Sequence, residues 1–267
     1  MTPETAVKLD EFFAAVRSAA GSILLLDYDG SMASFRIDRF KARPYAGVSR
    51  LLERIAAAGK TRMVVITGRP AAEIAPMLRV RQPLEVWGLH GAERIHPDGR
   101  REMEQASPAA LEKLDELRAQ LKRDSFGGLF EDKANGAVMH WRGVTLEKAR
   151  IVEQKTRRLF EPLARCDGLR MLDFEFGVEL RVGRDKGGAV QAILEESKRQ
   201  TGLDLPVAYA GDDLTDEAAF RAVNASGGAS LSVLMRREWR KTDADIWLKP
   251  PAELRQFLTR WAAAVER

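Results

Sequence analysis

Two acids, Asp27 and Asp29, stand at the end of the run SILLLDYDG, separated by Tyr28 and followed by Gly30. An apolar strand that delivers two carboxylates into a turn carries charge to a place where desolvation is costly unless the charge has a task. Three other stretches place reactive side chains in similar positions: Thr67 in VVITGRP, Lys186 in GRDKGGAV, and Asp212 with Asp213 in VAYAGDDLTDE. Taken singly, each has an ordinary reading. An Asp after a strand often forms a turn or caps a helix, and Thr67 before Gly68 suits a turn. DDLTDE, which includes Asp216, reads equally well as a capped helix start with acids in its first turn. Lys186 in a first helical turn lies at the unfavourable end of the helix dipole. Two acid clusters and a lysine converging on one sheet edge, however, make a site that is electrostatically tolerable only with a cation and an anion. Carboxylates with water suit Mg²⁺, which commonly binds beside a substrate phosphate.

The elements that must position these groups follow from periodicity. Strand SILLLDYDG, a helix from about Ala46 to Ala58, strand MVVITGR, a helix from about Pro70 to Leu78 and strand LEVWGL alternate along the first third. Helices between successive strands predict right-handed crossovers and a parallel sheet. Ligands of such sheets sit at the carboxyl ends of the strands, near the point where strand order reverses. The middle changes texture, beginning around AERIHPDGRREME with its PDG turn signal, and holds two helices and two hairpin-like segments, FEDKANGAVMH and MLDFEFGVEL. From Gly183 the strand and helix alternation returns. The expected fold class is therefore α/β: a Rossmann-like parallel core, residues 1–94 and 183–267, split by a small inserted α+β domain, residues 95–182.

The totals agree with an ordinary globular protein. The 267 residues are 45% hydrophobic and 31% charged, enough for one large domain or two medium ones. A net charge of +4 with dispersed basic residues does not suggest nucleic-acid binding. Cys166 is the only cysteine, so no intramolecular disulfide or cysteine metal framework is possible, and a cytoplasmic location is expected. The N-terminal stretch mixes acids with apolar residues and reads as an amphipathic helix rather than a signal peptide. No run of eighteen apolar residues occurs, so no membrane partner is expected.

The four motifs, in this order, resemble those of the haloacid dehalogenase (HAD) superfamily of phosphotransferases: DYDG, ITGR, the Lys186 helix and GDDLTDE. The segment between the second and third corresponds to the substrate-selecting cap of that superfamily, here of type IIB-like form. More narrowly, DYDGS, ITGRP, GLHGAE, EDK, VELR, KGGAV and GDDLTDEAAF resemble the trehalose-6-phosphate phosphatase family along nearly the whole chain. The resemblance implies a Mg²⁺-dependent phosphomonoester hydrolase that releases trehalose and phosphate through an aspartyl phosphate. It implies Asp27 as nucleophile and Asp29 as the acid and base, with Thr67 and Lys186 gripping the phosphoryl oxygens. The metal set it implies is Asp27, the backbone carbonyl of Asp29, and Asp212. Asp213 and Asp216 are left to bind through water or to orient Lys186.

Cap residues matching those that read sugar hydroxyls in the family are Glu131, Lys133 and Glu179, for which ordinary ion pairing on hairpins is the alternative. Arg69 and His90 are placed near the domain junction, to touch substrate or brace a hinge, with cap closure expected at strands near residues 94 and 182. Three departures stand out: Ser31 where the family carries Thr, SMASFRID in place of a proline-bearing continuation, and Trp141 before Arg142 where Tyr is common. The rival substrates are sucrose phosphate and glucosyl- or mannosyl-glycerate phosphates. A catalytically silent sugar-phosphate sensor is a further alternative, and a phosphorylatable signalling receiver is disfavoured by the DxD order and the long insert. Functional coupling to a trehalose-6-phosphate synthase, with the N-terminal helix as a contact, is also left open.

Overall fold

The apolar run ahead of Asp27 forms strand β1 (Ser22–Leu26), buried at every residue. A computed structural model describes residues 2–36, 38–124, 129–133, 135–166 and 168–266. Elements are numbered along the chain. Two compact units emerge, one of residues 1–103 and 186–267 and the other of residues 104–185.

In the first unit, α1 (Pro3–Ser18) leads into β1, and α2 (Val48–Ala57), β2 (Thr61–Ile66), α3 (Ala71–Leu78) and β3 (Glu85–Gly88) continue the alternation. A hairpin of β4 (Glu93–Ile95) and β5 (Arg101–Met103) follows. After the insert come α6 (Lys186–Thr201), β10 (Val207–Gly211), α7 (Glu217–Asn224), β11 (Ser230–Met235), β12 (Ile246–Leu248) and α8 (Ala252–Val265). They build one eight-stranded sheet in the order β12-β11-β10-β1-β2-β3-β4-β5. The first six strands are parallel, and β4 and β5 close one edge antiparallel.

Both faces of this sheet are covered, so its central strands are apolar without alternation. Leu24 and Leu26 belong to a core with Phe12 and Phe13 of α1, Leu52 of α2 and Trp261 of α8. Ile23 and Leu25, on the opposite face, pack with Val190 and Ile193 of α6 and Phe220 and Val223 of α7. The N-terminal helix is thus part of this core: Thr2 caps it by accepting from the Thr5 amide at 3.2 Å, and Phe12 lies 5.6 Å from Trp261, ring centre to ring centre.

The second unit holds α4 (Pro108–Arg123), β6 (Phe130–Lys133), β7 (Gly136–His140), α5 (Leu146–Ala164), β8 (Leu169–Phe174) and β9 (Gly177–Val182). Its four strands form an antiparallel sheet in the order β6-β7-β9-β8. Ser107 and Thr145 cap the two helices by accepting from the amides of Ala110 and Lys148. Leu114, Leu117 and Leu121 of α4 and Val152 and Phe160 of α5 pack with Ala137, Met139, Val178 and Leu180. The alternate strand positions, which include Glu131, Lys133 and Glu179, carry charge.

One boundary differs from the expected 94/95. The PDG hairpin pairs with β3 and extends the large sheet, so residues 95–103 belong to the first unit. Gly99, at φ +86°, supplies its turn, and the His96 amide donates to the Arg100 carbonyl at 2.9 Å. On the other side, residues 183–185 fall with the insert rather than the core.

Candidate active site

The sheet order reverses between β1 and β10, because the chain moves outward from β1 through β2 and β3 and later returns to β1's other flank. Such a switch point leaves a crevice beyond the carboxyl ends of the strands. Leu26 pairs with Ala210, and the Asp27 amide donates to the Ala210 carbonyl at 2.8 Å, which brings Asp27 beside the Asp212 loop. Thr67 leaves the end of β2, the strand on the other side of β1.

Lys186, the first residue of α6, reaches back into this crevice. Its Nζ donates to Asp27 Oδ1 and to Asp216 Oδ1, both at 2.7 Å. Asp216 is fully occupied. Its Oδ1 also accepts from the Tyr209 hydroxyl at 2.5 Å, and its Oδ2 accepts from the backbone amides of Asp212 and Asp213 at 2.9 Å each. The acid that reads in sequence as a first-turn residue is therefore the anchor for both the lysine and the loop. Two glycines make room for this packing. A Cβ at Gly211 would lie 2.3 Å from Asp216 Cγ, and one at Gly30, where φ is +81°, would lie 2.0 Å from Asp212 Oδ2. Ser31 keeps the hydroxyl function of its position, its Oγ donating to Asp212 Oδ1 at 3.5 Å.

Burial, followed by the charges of Asp216 and Asp29 and against the pull of Lys186, pushes the Asp27 carboxyl up from 3.8 to about 7. Burial and the nearby Asp27 and Asp216 likewise raise Asp212 well above the ordinary carboxylate range. Burial alone would lower Lys186, but the two carboxylates it touches outweigh that and hold it charged. One oxygen each from Asp27, Asp212 and Asp216 lie within 4.8 Å of one another, and the Lys186 ammonium touches two of the three. With Asp216 committed to four donors, the oxygens of Asp27 and Asp212 are those suited to a hard divalent cation, and the donor set fits Mg²⁺.

Asp29 points elsewhere. Its Oδ2 accepts from Arg69 Nε at 2.6 Å and its Oδ1 from Arg69 Nη2, a two-pronged ion pair. Its side chain is thus not one of the clustered acids, and the metal contact expected of it concerns its backbone carbonyl. Thr67 is buried, and its hydroxyl oxygen accepts from the Arg69 amide at 3.2 Å, which leaves the hydroxyl proton to donate. His90 sits in the left-handed region at φ +56°, directly after Leu89 at φ +49°. Its imidazole packs on Gly68, where a Cβ would come within 2.7 Å of Nε2. Glu93 of the GLHGAE stretch reaches the Ala71 amide at 2.7 Å and so caps α3.

In the second unit, Lys133 Nζ donates to Glu179 Oε2 at 3.3 Å, and Glu131 Oε2 pairs with His140 Nε2 at 2.8 Å. Glu131 and Glu179 share one row of the sheet through Val138, while Lys133 lies one pleat away. The three expected sugar-reading residues therefore lie on one face of this sheet, on β6 and β9 to either side of β7, with His140 of β7 as a fourth member. The H in the stretch EDKANGAVMH, two residues before Arg142, was the available signal for it.

The parallel core with its inserted unit has the HAD fold. A solved phosphatase of the haloalkanoate (HAD) enzyme superfamily from Bacteroides thetaiotaomicron is similar over 91% of this chain and 96% of its own, with a TM-score of 0.63 at 18% identity. Trehalose-6-phosphate phosphatase from Aspergillus fumigatus is similar over 96% of this chain and 97% of its own, with a TM-score of 0.75 at 23% identity. In sequence, the trehalose-phosphatase family model matches residues 25–246, and the chain belongs to that family. A curated relative, the trehalose-phosphate phosphatase of Mycolicibacterium paratuberculosis, is 31% identical over 255 residues, covering 91% of this chain. The chain spans 63% of that relative's length.

Proposed function

We propose that this chain is a Mg²⁺-dependent phosphatase that hydrolyses trehalose 6-phosphate to trehalose and inorganic phosphate. The observation that carries the proposal is the acid cluster at the switch point: buried Asp27 and Asp212 lie together beside Asp216, and Lys186 is committed to Asp27 and Asp216. Family membership supplies the substrate class.

In the first step Asp27 attacks phosphorus in line, an aspartyl phosphate forms, and the bond from phosphorus to the sugar oxygen breaks. Asp29 gives its proton to that leaving oxygen. In the second step Asp29 takes a proton from water as the water attacks phosphorus, and Asp27 is released with inorganic phosphate. The Arg69 fork on Asp29 has to open during this cycle, and the anionic substrate offers the guanidinium an alternative partner. Thr67 donates its hydroxyl proton to a phosphoryl oxygen. Lys186 holds the Asp27 carboxylate in place and supplies positive charge beside the transferring group. Mg²⁺ held by Asp27, Asp212 and the Asp29 carbonyl would lower the repulsion between an anionic nucleophile and an anionic ester.

Glu131, Lys133 and Glu179, with His140 beside them, read the hydroxyls of the disaccharide. Hydroxyl-rich ligands suit such alternating acceptors and donors. His90 and Arg69 complete the substrate set. No helix among the described residues is long and apolar enough to cross a membrane. Coupling to a synthase that supplies the phosphorylated sugar fits the same reading. The test is phosphate release from a panel of sugar phosphates, with Mg²⁺ and with chelator. Strong Mg²⁺-dependent preference for trehalose 6-phosphate is expected. Preference for another glycoside phosphate would overturn the substrate, and release that survives chelation would overturn the metal.

A further inference from the structure

The loop carrying Asp212 is gripped on both edges of its peptide units. On the amide edge, Asp216 Oδ2 accepts from the N–H groups of Asp212 and Asp213, as described above. On the carbonyl edge stands Arg240, a residue outside all four motifs, in the segment REWRKTDAD between β11 and β12. Its Nη2 donates to the Asp213 carbonyl at 2.7 Å and its Nε to the Asp212 carbonyl at 3.4 Å. Its Nη1 pairs with Glu217 and donates to the Lys241 carbonyl at 3.0 Å. Glu217, at the start of α7, is itself held by the Thr242 hydroxyl and the Asp243 amide, each at 2.8 Å. The Arg240 and Glu217 side chains are each only 15% exposed.

We infer that Arg240 is a positioning residue that holds the Asp212 carboxylate in its metal-binding place, an inference that rests on the reading of Asp27 and Asp212 as metal ligands. Three buried acids repel one another across 4.8 Å or less, and the Asp212 loop would relieve that repulsion by swivelling outward. The 212–213 peptide unit, bonded through both its N–H and its carbonyl, and the 213–214 unit, held at its carbonyl, resist that swivel. The guanidinium also brings a fixed positive charge to the carbonyl side of the loop without entering the acid cluster. The planar fork serves three carbonyls and a carboxylate at once, four acceptors against the three donors of a lysine ammonium. Nearby Arg221 is a built-in control: it binds Asp243 Oδ2 at 2.8 Å and so tethers the same segment.

The test measures Mn²⁺ binding to the full chain directly, by calorimetry or by the free-Mn²⁺ spin signal, alongside thermal melting. Arg240→Met is expected to weaken Mn²⁺ binding by about 10- to 100-fold, the usual cost of removing a partner behind a metal ligand. The Mg²⁺ concentration for half-maximal activity should rise in parallel, while the KM for substrate at saturating Mg²⁺ stays near that of the wild type. Arg240→Lys should fall between the two, and Arg221→Met should bind Mn²⁺ like the wild type. Unchanged Mn²⁺ affinity in folded Arg240→Met overturns the inference, as does unchanged affinity in Arg240→Lys where the methionine variant does not fold. Equal weakening in Arg221→Met also overturns it, since the effect would then be general loosening. A wild-type chain that binds no Mn²⁺ overturns the metal reading itself and this inference with it.

Discussion

The acid cluster of the first unit and the charged strands of the second are built on different terms. Asp27, Lys186 and Asp216 have side chains 6%, 4% and 0% exposed, and Lys186 binds both carboxylates. Glu131 and His140 are 51% and 40% exposed and bind each other through one contact. The first arrangement keeps charges where water cannot stabilise them and sets three carboxylates side by side. The second keeps Glu131, Lys133 and His140 wet and lightly paired, with Glu179 buried behind them, so that a polyol can exchange with the exposed groups at little cost. On the proposed reading, chemistry falls to the unit whose charges are buried and selection to the unit that exposes Glu131, Lys133 and His140.

That contrast can be broken most sharply at Asp27. Asp27→Asn keeps the shape and the Lys186 contact distance but removes the nucleophile, so activity should fall by at least about 10⁴-fold. Near wild-type melting by circular dichroism would accompany that fall, and substantial residual turnover would contradict the covalent assignment. Asp29→Asn should cost about 10²- to 10⁴-fold in kcat, the range for a positioned acid and base, and the loss should shrink for esters with good leaving groups. An equal loss on both kinds of ester would remove Asp29 from proton transfer.

Smaller effects test the second unit. Glu131→Ala should raise KM for trehalose 6-phosphate by about tenfold, as expected for one lost charged hydrogen bond, and leave a small aryl phosphate nearly unaffected. Equal changes on both substrates would make Glu131 structural. The smallest effect is on stability against pH. The folded chain holds the Asp27 proton more tightly than the unfolded one, since its carboxyl is raised from 3.8 to about 7. Metal-free stability should therefore fall as pH climbs from about 4 to about 7 and level off above that. The fall should be shallower in Asp27→Asn, and Mg²⁺ should restore more stability at pH 7.5 than at pH 5. A chelated wild type whose melting temperature has the same pH profile as Asp27→Asn would contradict this.

The core of the fold was legible because its signals are local. Leu24 and Leu26 alternate with Ile23 and Leu25 between two covering layers, and such a run reads as a buried parallel strand from the sequence alone. The acids at strand ends were legible for the same reason. The PDG hairpin was recognised as a hairpin but given to the insert, because local turn chemistry says nothing about which sheet it joins. Pairing with β3 is a tertiary choice. Asp216 reads locally as a capping acid; its grip on Lys186 spans 30 positions, and the family resemblance offers that role only as one of two alternatives shared with Asp213. Arg240 carried no signal at all, since its partners are backbone carbonyls and carbonyls leave no trace in sequence.

The most direct test of the central claim is to trap the covalent intermediate. The chain would be mixed with trehalose 6-phosphate and Mg²⁺, quenched in acid, reduced with borohydride and digested. An aspartyl phosphate at Asp27 would be reduced to homoserine, and the peptide spanning residues 24–32 should carry that change only when both substrate and Mg²⁺ are present. Turnover of substrate with that peptide unmodified, or with homoserine at Asp29 instead, would contradict the account.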